Sequence, residues 1–410
     1  MTLYSSVFLF CFLPVAAVTY YMFPRVCRTG IICVISLFFY LMSAGRLFFV
    51  LPLLSLVCYG LSFAGKKGFY LCLLLLPFLR LIDACNFGVA FFVVRAAAYI
   101  YDEHKEKNFA KVFAFLMFFP TVSAGPVTRY DCIRFDRAAD FSLISRGILL
   151  LIWGAFEKLF FADTLKRAFD LFHSGGTTLS AFAALIAYSL YIYFDFSGYS
   201  NAAIGVCNIF GVALPRNFDF PYMSRSVGEF FRRWHISLGR WLFDYIYLPL
   251  GGSKHGKVRM FLSLAAVWTF SALWHGFTLA YLLWGAWFFA LSALEKNKIK
   301  LGRFGTLGSV ALGWVFFFSK TPNDAYKFLL RLFSAGNTLL YSRADIYNCM
   351  RHLPFILLAA FFATPVVHRM FCMLYEKARG LTYIAVIPAM LLVLSCLAAG
   401  GHSPFLYASF

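Results

Sequence analysis

Hydrophobic positions in this chain come in long unbroken runs, not in the half-polar stripes of a water-soluble fold. Tyr4–Phe23, Leu47–Gly65, Phe196–Pro215 and Leu381–Gly401 contain no Asp, Glu, Lys, Arg or His, and Met260–Leu294 is interrupted only by His275. About 20 mainly apolar residues suffice for a helix to cross ~30 Å of hydrocarbon. Shorter apolar runs lie at Gly30–Gly45, Gly68–Leu79, Val112–Thr128, Gly147–Ala162, Leu171–Phe194, Phe304–Ser319 and Leu353–Val367. Together they predict an all-α, polytopic membrane protein with about 11 membrane-embedded helices, some re-entrant or tilted. No stretch is long, polar and periodic enough for a soluble domain, so residues 1–410 read as a single membrane domain. No Lys or Arg precedes the first run, and Arg25 and Arg28 follow it, so it reads as a retained span with the N-terminus outside. Glu295–Arg303 and Glu376–Arg379 then fall on the cytoplasmic side, and Leu381–Gly401 returns the chain to the outside. Lys320–Arg351, with Lys320, Lys327, Arg331, Arg343 and Arg351, fits that alternation poorly and is expected to hold an interfacial helix.

Composition sharpens the class. The 410 residues are 61% hydrophobic, 20% aromatic and only 13% charged, where a soluble protein is about 25% charged. A bilayer accepts apolar surface on the outside of the protein, so the 52 Phe need not all be buried in a core. The net charge of +19 is scattered between apolar runs and forms no compact patch, which argues against a nucleic-acid partner. Basic loops facing anionic membrane lipids explain it, as does an anionic cytoplasmic partner such as coenzyme A or an acyl-carrier protein. The 11 Cys include no C-x-x-C pair and read as small buried hydrophobes. No internal repeat is visible, which weakens a transporter or flippase reading, since many transporters are built from repeats.

Ionisable side chains at membrane depth are costly and usually line a cavity or pathway. They concentrate between Asp195 and Gly285. The first constellation is YFDFSGYSN, Tyr193–Asn201, where Asp195, Ser197, Tyr199 and Asn201 surround Gly198. It reads as a polar turn where Gly198 breaks helix geometry at a cavity wall, or as an interfacial loop with a solvated Asp. The second is Ser224–Gly252, with a capping box at Ser226 and Glu229, then Arg232, Arg233, Trp234, His235 and Arg240 among aromatics, ending at Pro249, Gly251 and Gly252. Its arginines suit a phosphate-bearing ligand, or they snorkel from a juxtamembrane helix. The third is SALWHGFTLAYLLWGAW, Ser271–Trp287, where His275 is the one ionisable residue in its run. A buried imidazole is neutral and can accept a proton, although a lone His in an apolar helix is also a common structural residue. A metal shared by His235 and His275 is disfavoured, because neither has a carboxylate or thiol at ligand spacing and no H-E-x-x-H occurs.

These stretches resemble the membrane-bound O-acyltransferase family, most closely its alginate O-acetylating branch. The matching segments are YSSVFLFCFLP near Tyr4, FFPTVSAGPVTRY from Phe118, YIYFDFSGYSNAAIG from Tyr191, RNFDFPYMSRSVGEFFRRWHISLGRWLFDYIYLPLGG from Arg216 and ALWHGFTLAYLLWGAW from Ala272. The likeness runs to about Leu294, is specific over 191–287, and makes 191–294 the expected catalytic core. The resemblance implies that His275, in WHG, is the active-site histidine and that His235, in RWH, supports it. Substrate contacts are expected from Asp195, Ser197, Tyr199, Asn201, Arg232, Arg233, Trp234 and Trp274, around a polar tunnel open to both membrane faces. The implied reaction moves an acyl group, foremost acetyl, from a cytoplasmic thioester to a hydroxyl of an extracytoplasmic polysaccharide or cell-wall polymer. Acetyl-CoA or an acyl-carrier thioester is the expected donor, no cofactor is expected to stay bound, and an extracytoplasmic acetyltransferase is the expected partner. The location is the cell membrane. D-alanyl transfer to teichoic acid is the alternative within the family. Departures around residues 60–100 and beside Thr278 leave the acceptor open.

Overall fold

The computed structural model describes residues 1–81, 88–102, 106, 108–123, 125–335 and 338–400. Ala124 of the segment from Phe118 and Gly401 at the end of the last apolar run lie outside the described residues. Every extended element described is helical. The N-terminal third comprises α1 (Phe8–Met22), α2 (Arg28–Ala44), α3 (Val50–Ser62), α4 (Lys66–Leu81), α5 (Val89–Tyr101) and α6 (Phe109–Met117). The centre holds α7 (Phe141–Phe156), α8 (Asp163–Ser174), α9 (Thr178–Ile209), α10 (Val227–Arg233), α11 (Ile236–Leu242), α12 (Gly256–His275) and α13 (Leu279–Lys296). The remainder is α14 (Gly302–Phe318), α15 (Pro322–Leu332), α16 (Arg343–Phe362), α17 (Pro365–Lys377) and α18 (Arg379–Ala399).

Three of the described helices are long and apolar enough to cross a membrane: Arg25–Ala44, Thr178–Ile209 and Gly380–Ala399. The pair Arg343–Phe362 and Pro365–Lys377, bent by 56°, makes a fourth if taken as one span. The other apolar runs form shorter helices such as Val50–Ser62, Val89–Tyr101 and Gly302–Phe318. The chain is a multi-pass membrane protein built of long spans and shorter apolar helices. The segment from Lys320 does contain a surface helix. In α15, Thr321 and Asp324 form a reciprocal capping box, and Ala325, Phe328 and Leu332 bury one face.

α9 is the organising element. It packs along α7 and α8 on one side and against α14, α15 and α16 on the others. Contrary to the expected turn at Gly198, α9 runs as one helix through the whole of YFDFSGYSN. The glycine serves approach rather than bending. A Cβ on Gly198 would lie 2.8 Å from Gly154 O, and one on Gly154 would lie 2.5 Å from both Gly198 O and Ala202 N. Gly147 and Gly205 meet in the same way farther along the two helices. Without a hydrophobic driving force in lipid, small residues that let backbones touch are what hold two helices together.

That contact buries charge. α7 continues into α8 through a π-helical turn, Glu157–Ala162, which carries Glu157 and Lys158 inside the protein. Lys158 Nζ donates to Asp195 Oδ1 at 2.6 Å and to Asp163 Oδ1 at 2.9 Å, with all three side chains at most 3% exposed. Glu157 accepts from Asn201 Nδ2 at 2.7 Å and from Ser197 Oγ at 3.2 Å. Polar groups at this depth persist only when paired, and here they pair with one another.

A second buried cation repairs a broken helix. The chain breaks helix geometry at Phe118, with φ −50 and ψ 107, before a single turn at Phe119–Val122. Arg95 of α5 is fully buried and donates to the carbonyls of Phe115 and Thr121 at the ends of the two pieces. Ser36 Oγ of α2 accepts from Phe119 N at 3.2 Å. Unsatisfied backbone groups cannot face lipid, so these side chains make the break tolerable.

Candidate active site

Met260–Leu294 is not one helix. It splits into α12 and α13, which pack as a hairpin, so His275 is the last residue of α12, at the break. Thr278 caps α13 by accepting from Tyr281 N at 3.4 Å. Gly276 has φ 169, an extended backbone open to any residue, so the break does not need its glycine. His275 is buried, and the rings of Trp274, Tyr281, Trp284 and Phe317 lie 4.9, 6.1, 5.1 and 5.0 Å from its own. Non-helical backbone at membrane depth is tolerated where it lines a cavity, and His275 lines the larger of the two described cavities, about 660 Å³.

α10 and α11 deliver the second histidine. Ser226 Oγ accepts from Glu229 N at 3.0 Å, as the expected capping box requires. The Glu229 carboxylate reaches instead to Arg225 N at 2.9 Å, one residue before the cap, and this bond with nearby Arg233 holds it below the usual carboxylate range. Glu295 of α13 accepts from Val227 N and Gly228 N and so fastens the start of α10 to α13; an anion is favourable at that helix end. Between α10 and α11 the chain turns at His235, with φ +46. Asn217 holds the turn: its carbonyl accepts from Ile236 N and its side chain from Ser237 N, both at 2.9 Å. A left-handed residue with a Cβ costs about 1–2 kcal/mol, and at this position it turns the imidazole into the same cavity as His275. His235 is buried, and its Nδ1 has no hydrogen-bond partner among the described residues. Trp274 stands between the two histidines, its ring 6.1 Å from His235 and 4.9 Å from His275, anchored by Nε1 to Ala90 O at 3.2 Å.

The remaining expected site residues divide. Trp234 and Arg232 line this cavity. Arg233 does not; it pairs with Glu229 at 2.8 Å and contacts Asp219 O. Trp274 backs the histidines without lining the wall. Asp195, Ser197, Tyr199 and Asn201 are absent from the lining because they face away, toward α7 and α8 or, for Tyr199, toward Ser123 Oγ at 2.6 Å. From that helix Phe196 reaches the cavity. Three lining groups lie beyond the expected core of 191–294: Lys296, and Trp314 and Phe317 of α14. The i, i+3 aromatic spacing of Trp314 and Phe317 within Phe304–Ser319 is the signal by which the sequence could have marked them. At the rim, Arg232, Arg240 and Lys296 are exposed and form no ion pair among the described residues. Gly251 and Gly252, with φ +104 and +51, close the turn beyond α11, and a Cβ on Gly252 would stand 2.8 Å from the lining residue Tyr247.

The site is therefore two buried imidazoles in an aromatic chamber with a cationic rim, formed by residues from Phe196 to Phe317. The model of the membrane-bound O-acyltransferase family matches residues 34–318, a span that includes every one of them. The chain belongs to the membrane-bound O-acyltransferase family. Similar proteins include a probable alginate O-acetylase of Pseudomonas syringae pv. tomato, 35% identical over 64% of this chain and 54% of the relative. A peptidoglycan O-acetyltransferase of Helicobacter pylori is 31% identical over 52% of this chain and 45% of the relative. A teichoic acid D-alanyltransferase of Bacillus subtilis is 30% identical over 42% of this chain and 47% of the relative. The chain spans about half the length of the curated relatives it matches.

Proposed function

We propose that this chain is an O-acyltransferase that passes an acyl group, acetyl foremost, from a cytoplasmic thioester to a hydroxyl of an extracytoplasmic polysaccharide or cell-wall polymer. The observation that carries the reading is the convergence of His235 and His275 on one chamber whose rim holds three unpaired cations. The phosphates of a coenzyme A or phosphopantetheine donor would meet Arg232, Arg240 and Lys296, and the thioester would extend inward toward the histidines. His275 takes the proton of the acceptor hydroxyl, the oxygen attacks the thioester carbonyl, and the carbon–sulfur bond breaks. The thiolate leaves and regains a proton to become the free thiol. General-base assistance of this kind is worth ~10²–10⁴-fold. His235 supports the chamber from the other side of Trp274. No resident cofactor is needed for this chemistry. The likeness to a teichoic acid D-alanyltransferase supports a second reading, in which the same site carries a D-alanyl group. An acetyltransferase on the outer face of the cell membrane is the expected partner protein.

Membranes containing the full chain, supplied with labelled acetyl-CoA and acceptor polymer, test the proposal. His275→Ala should abolish transfer while protein level and membrane insertion stay near wild type. Undiminished transfer at equal protein level would refute the role.

A further inference from the structure

A second cavity, about 320 Å³, lies away from the histidine chamber, between the inner helices α7 and α9 and the outer helix α17. It shares no lining residue with the chamber. α17 has no buried residue, and Met370 and Met373 are exposed on it, so the cavity sits under a helix that faces the membrane. Its walls are apolar at Leu150, Trp153 and Phe371, and polar at Arg146, Asn208, His368 and Glu376. Arg146 and Glu376 pair neither with each other nor with any other described charge; Arg146 Nε reaches only Ser142 O of its own helix, at 3.4 Å. Asn208 is 9% exposed, and its Oδ1 is buried with no hydrogen-bond partner among the described residues. A buried amide oxygen left unpaired is unfavourable, so this site calls for a donor.

The cavity lies where α7 begins and α9 ends. Arg28 of α2 donates to Arg137 O at 2.8 Å, just before the Asp140 cap of α7. Arg146 lies about 9 Å beyond that cap at the helical rise per residue. A cation, an anion and an amide oxygen beside apolar walls match a lipid whose head carries both charges. We infer that this cavity binds a zwitterionic phospholipid with a primary ammonium, a phosphoethanolamine head. Arg146 takes the phosphate. The ammonium donates to Glu376 and to Asn208 Oδ1. The acyl chains leave along Leu150, Trp153 and Phe371 into the bilayer. Glu376 decides the class, because an anionic lipid would meet an uncompensated carboxylate there. The site would moor α17 to the α7–α9 pair.

Native mass spectrometry of the full chain, purified in detergent with equal phosphatidylethanolamine and phosphatidylglycerol, tests this. The wild type should retain the ethanolamine lipid about tenfold over the glycerol lipid, which corresponds to ~1.4 kcal/mol. Glu376→Gln should erase that preference, and Arg146→Gln should lose both lipids. Asn208→Leu should weaken retention; if it does not fold, the exposed Glu376→Gln variant still decides the matter. Equal retention of the two lipids by the wild type, preference for the glycerol lipid, or a preference unchanged in Glu376→Gln would overturn the assignment.

Discussion

At the scale of single residues, His235 shows how a backbone angle can carry chemistry. Its φ of +46 is unfavourable for most side chains but common for Asn. This separates conformation from chemistry. His235→Asn keeps a residue that accepts the turn and removes the imidazole, whereas His235→Ala loses both. His235→Asn should retain near-normal protein yield and thermal midpoint while acyl transfer falls by about 10²-fold; unchanged kinetics with a lowered yield would make the residue structural. The two neighbouring arginines separate in the same way. Arg232 lines the cavity without an ion pair, and Arg233 is held by Glu229. Arg232→Gln, alone and more so with Lys296→Gln, should raise the donor KM more than it lowers kcat. Arg233→Gln should leave the KM unaltered and cost under about 1 kcal/mol, as expected of a partly exposed pair. An equal rise in KM for both arginine variants would contradict this division.

At the scale of elements, the chemistry-bearing motifs were legible and the partners of the buried charges were not. His275 stood out because it is the one ionisable residue in Met260–Leu294, and His235 because its Arg- and Trp-rich neighbourhood is polar beyond the needs of an interfacial helix. Asp195 and Ser197 stood out equally, but a polar residue on an apolar helix signals only that it needs a partner. Their partners, Glu157 and Lys158, sit inside the run Gly147–Ala162, which hydropathy averages as apolar although both charges interrupt it. The π-helical turn that aims them at α9 left no readable spacing. The glycines were legible as special without revealing their use: Gly198 looks like a hinge in one dimension and is a contact point in three. Its role can be checked through its partner. Gly154→Val should lower the thermal midpoint and the yield of folded protein, because its side chain would collide with the backbone of Gly198 and Ala202. Gly308→Ala, with nothing within 4 Å of the added carbon, is the matched control and should be neutral. Equal stability of the two variants would mean that α7 and α9 are not held by this contact.

At the scale of the whole molecule, the distribution of basic residues bears on which membrane face the rim of the chamber serves. The rim residues Arg232, Arg240 and Lys296 stand close in sequence to two exposed basic segments, one running from Lys254 into the first turn of α12 at Lys257 and Arg259, the other from Lys298 and Lys300 to Arg303 at the start of α14. Glu295, at the edge of the second segment, is bonded to the start of α10, so that segment and the cavity rim are fixed to one another. Segments rich in Lys and Arg tend to remain cytoplasmic, which predicts that the rim faces the side where thioester donors occur. This orientation stands apart from any role of the histidines, and limited proteolysis checks it directly. Trypsin added to inside-out membrane vesicles should cleave within Lys296–Arg303, where Lys296, Lys298 and Lys300 are exposed. The same protease added to intact cells with the outer face accessible should leave that segment whole. Cleavage from the outside would reverse the orientation and separate the cationic rim from any cytoplasmic donor, leaving the histidine chamber open to the wrong compartment for the proposed chemistry.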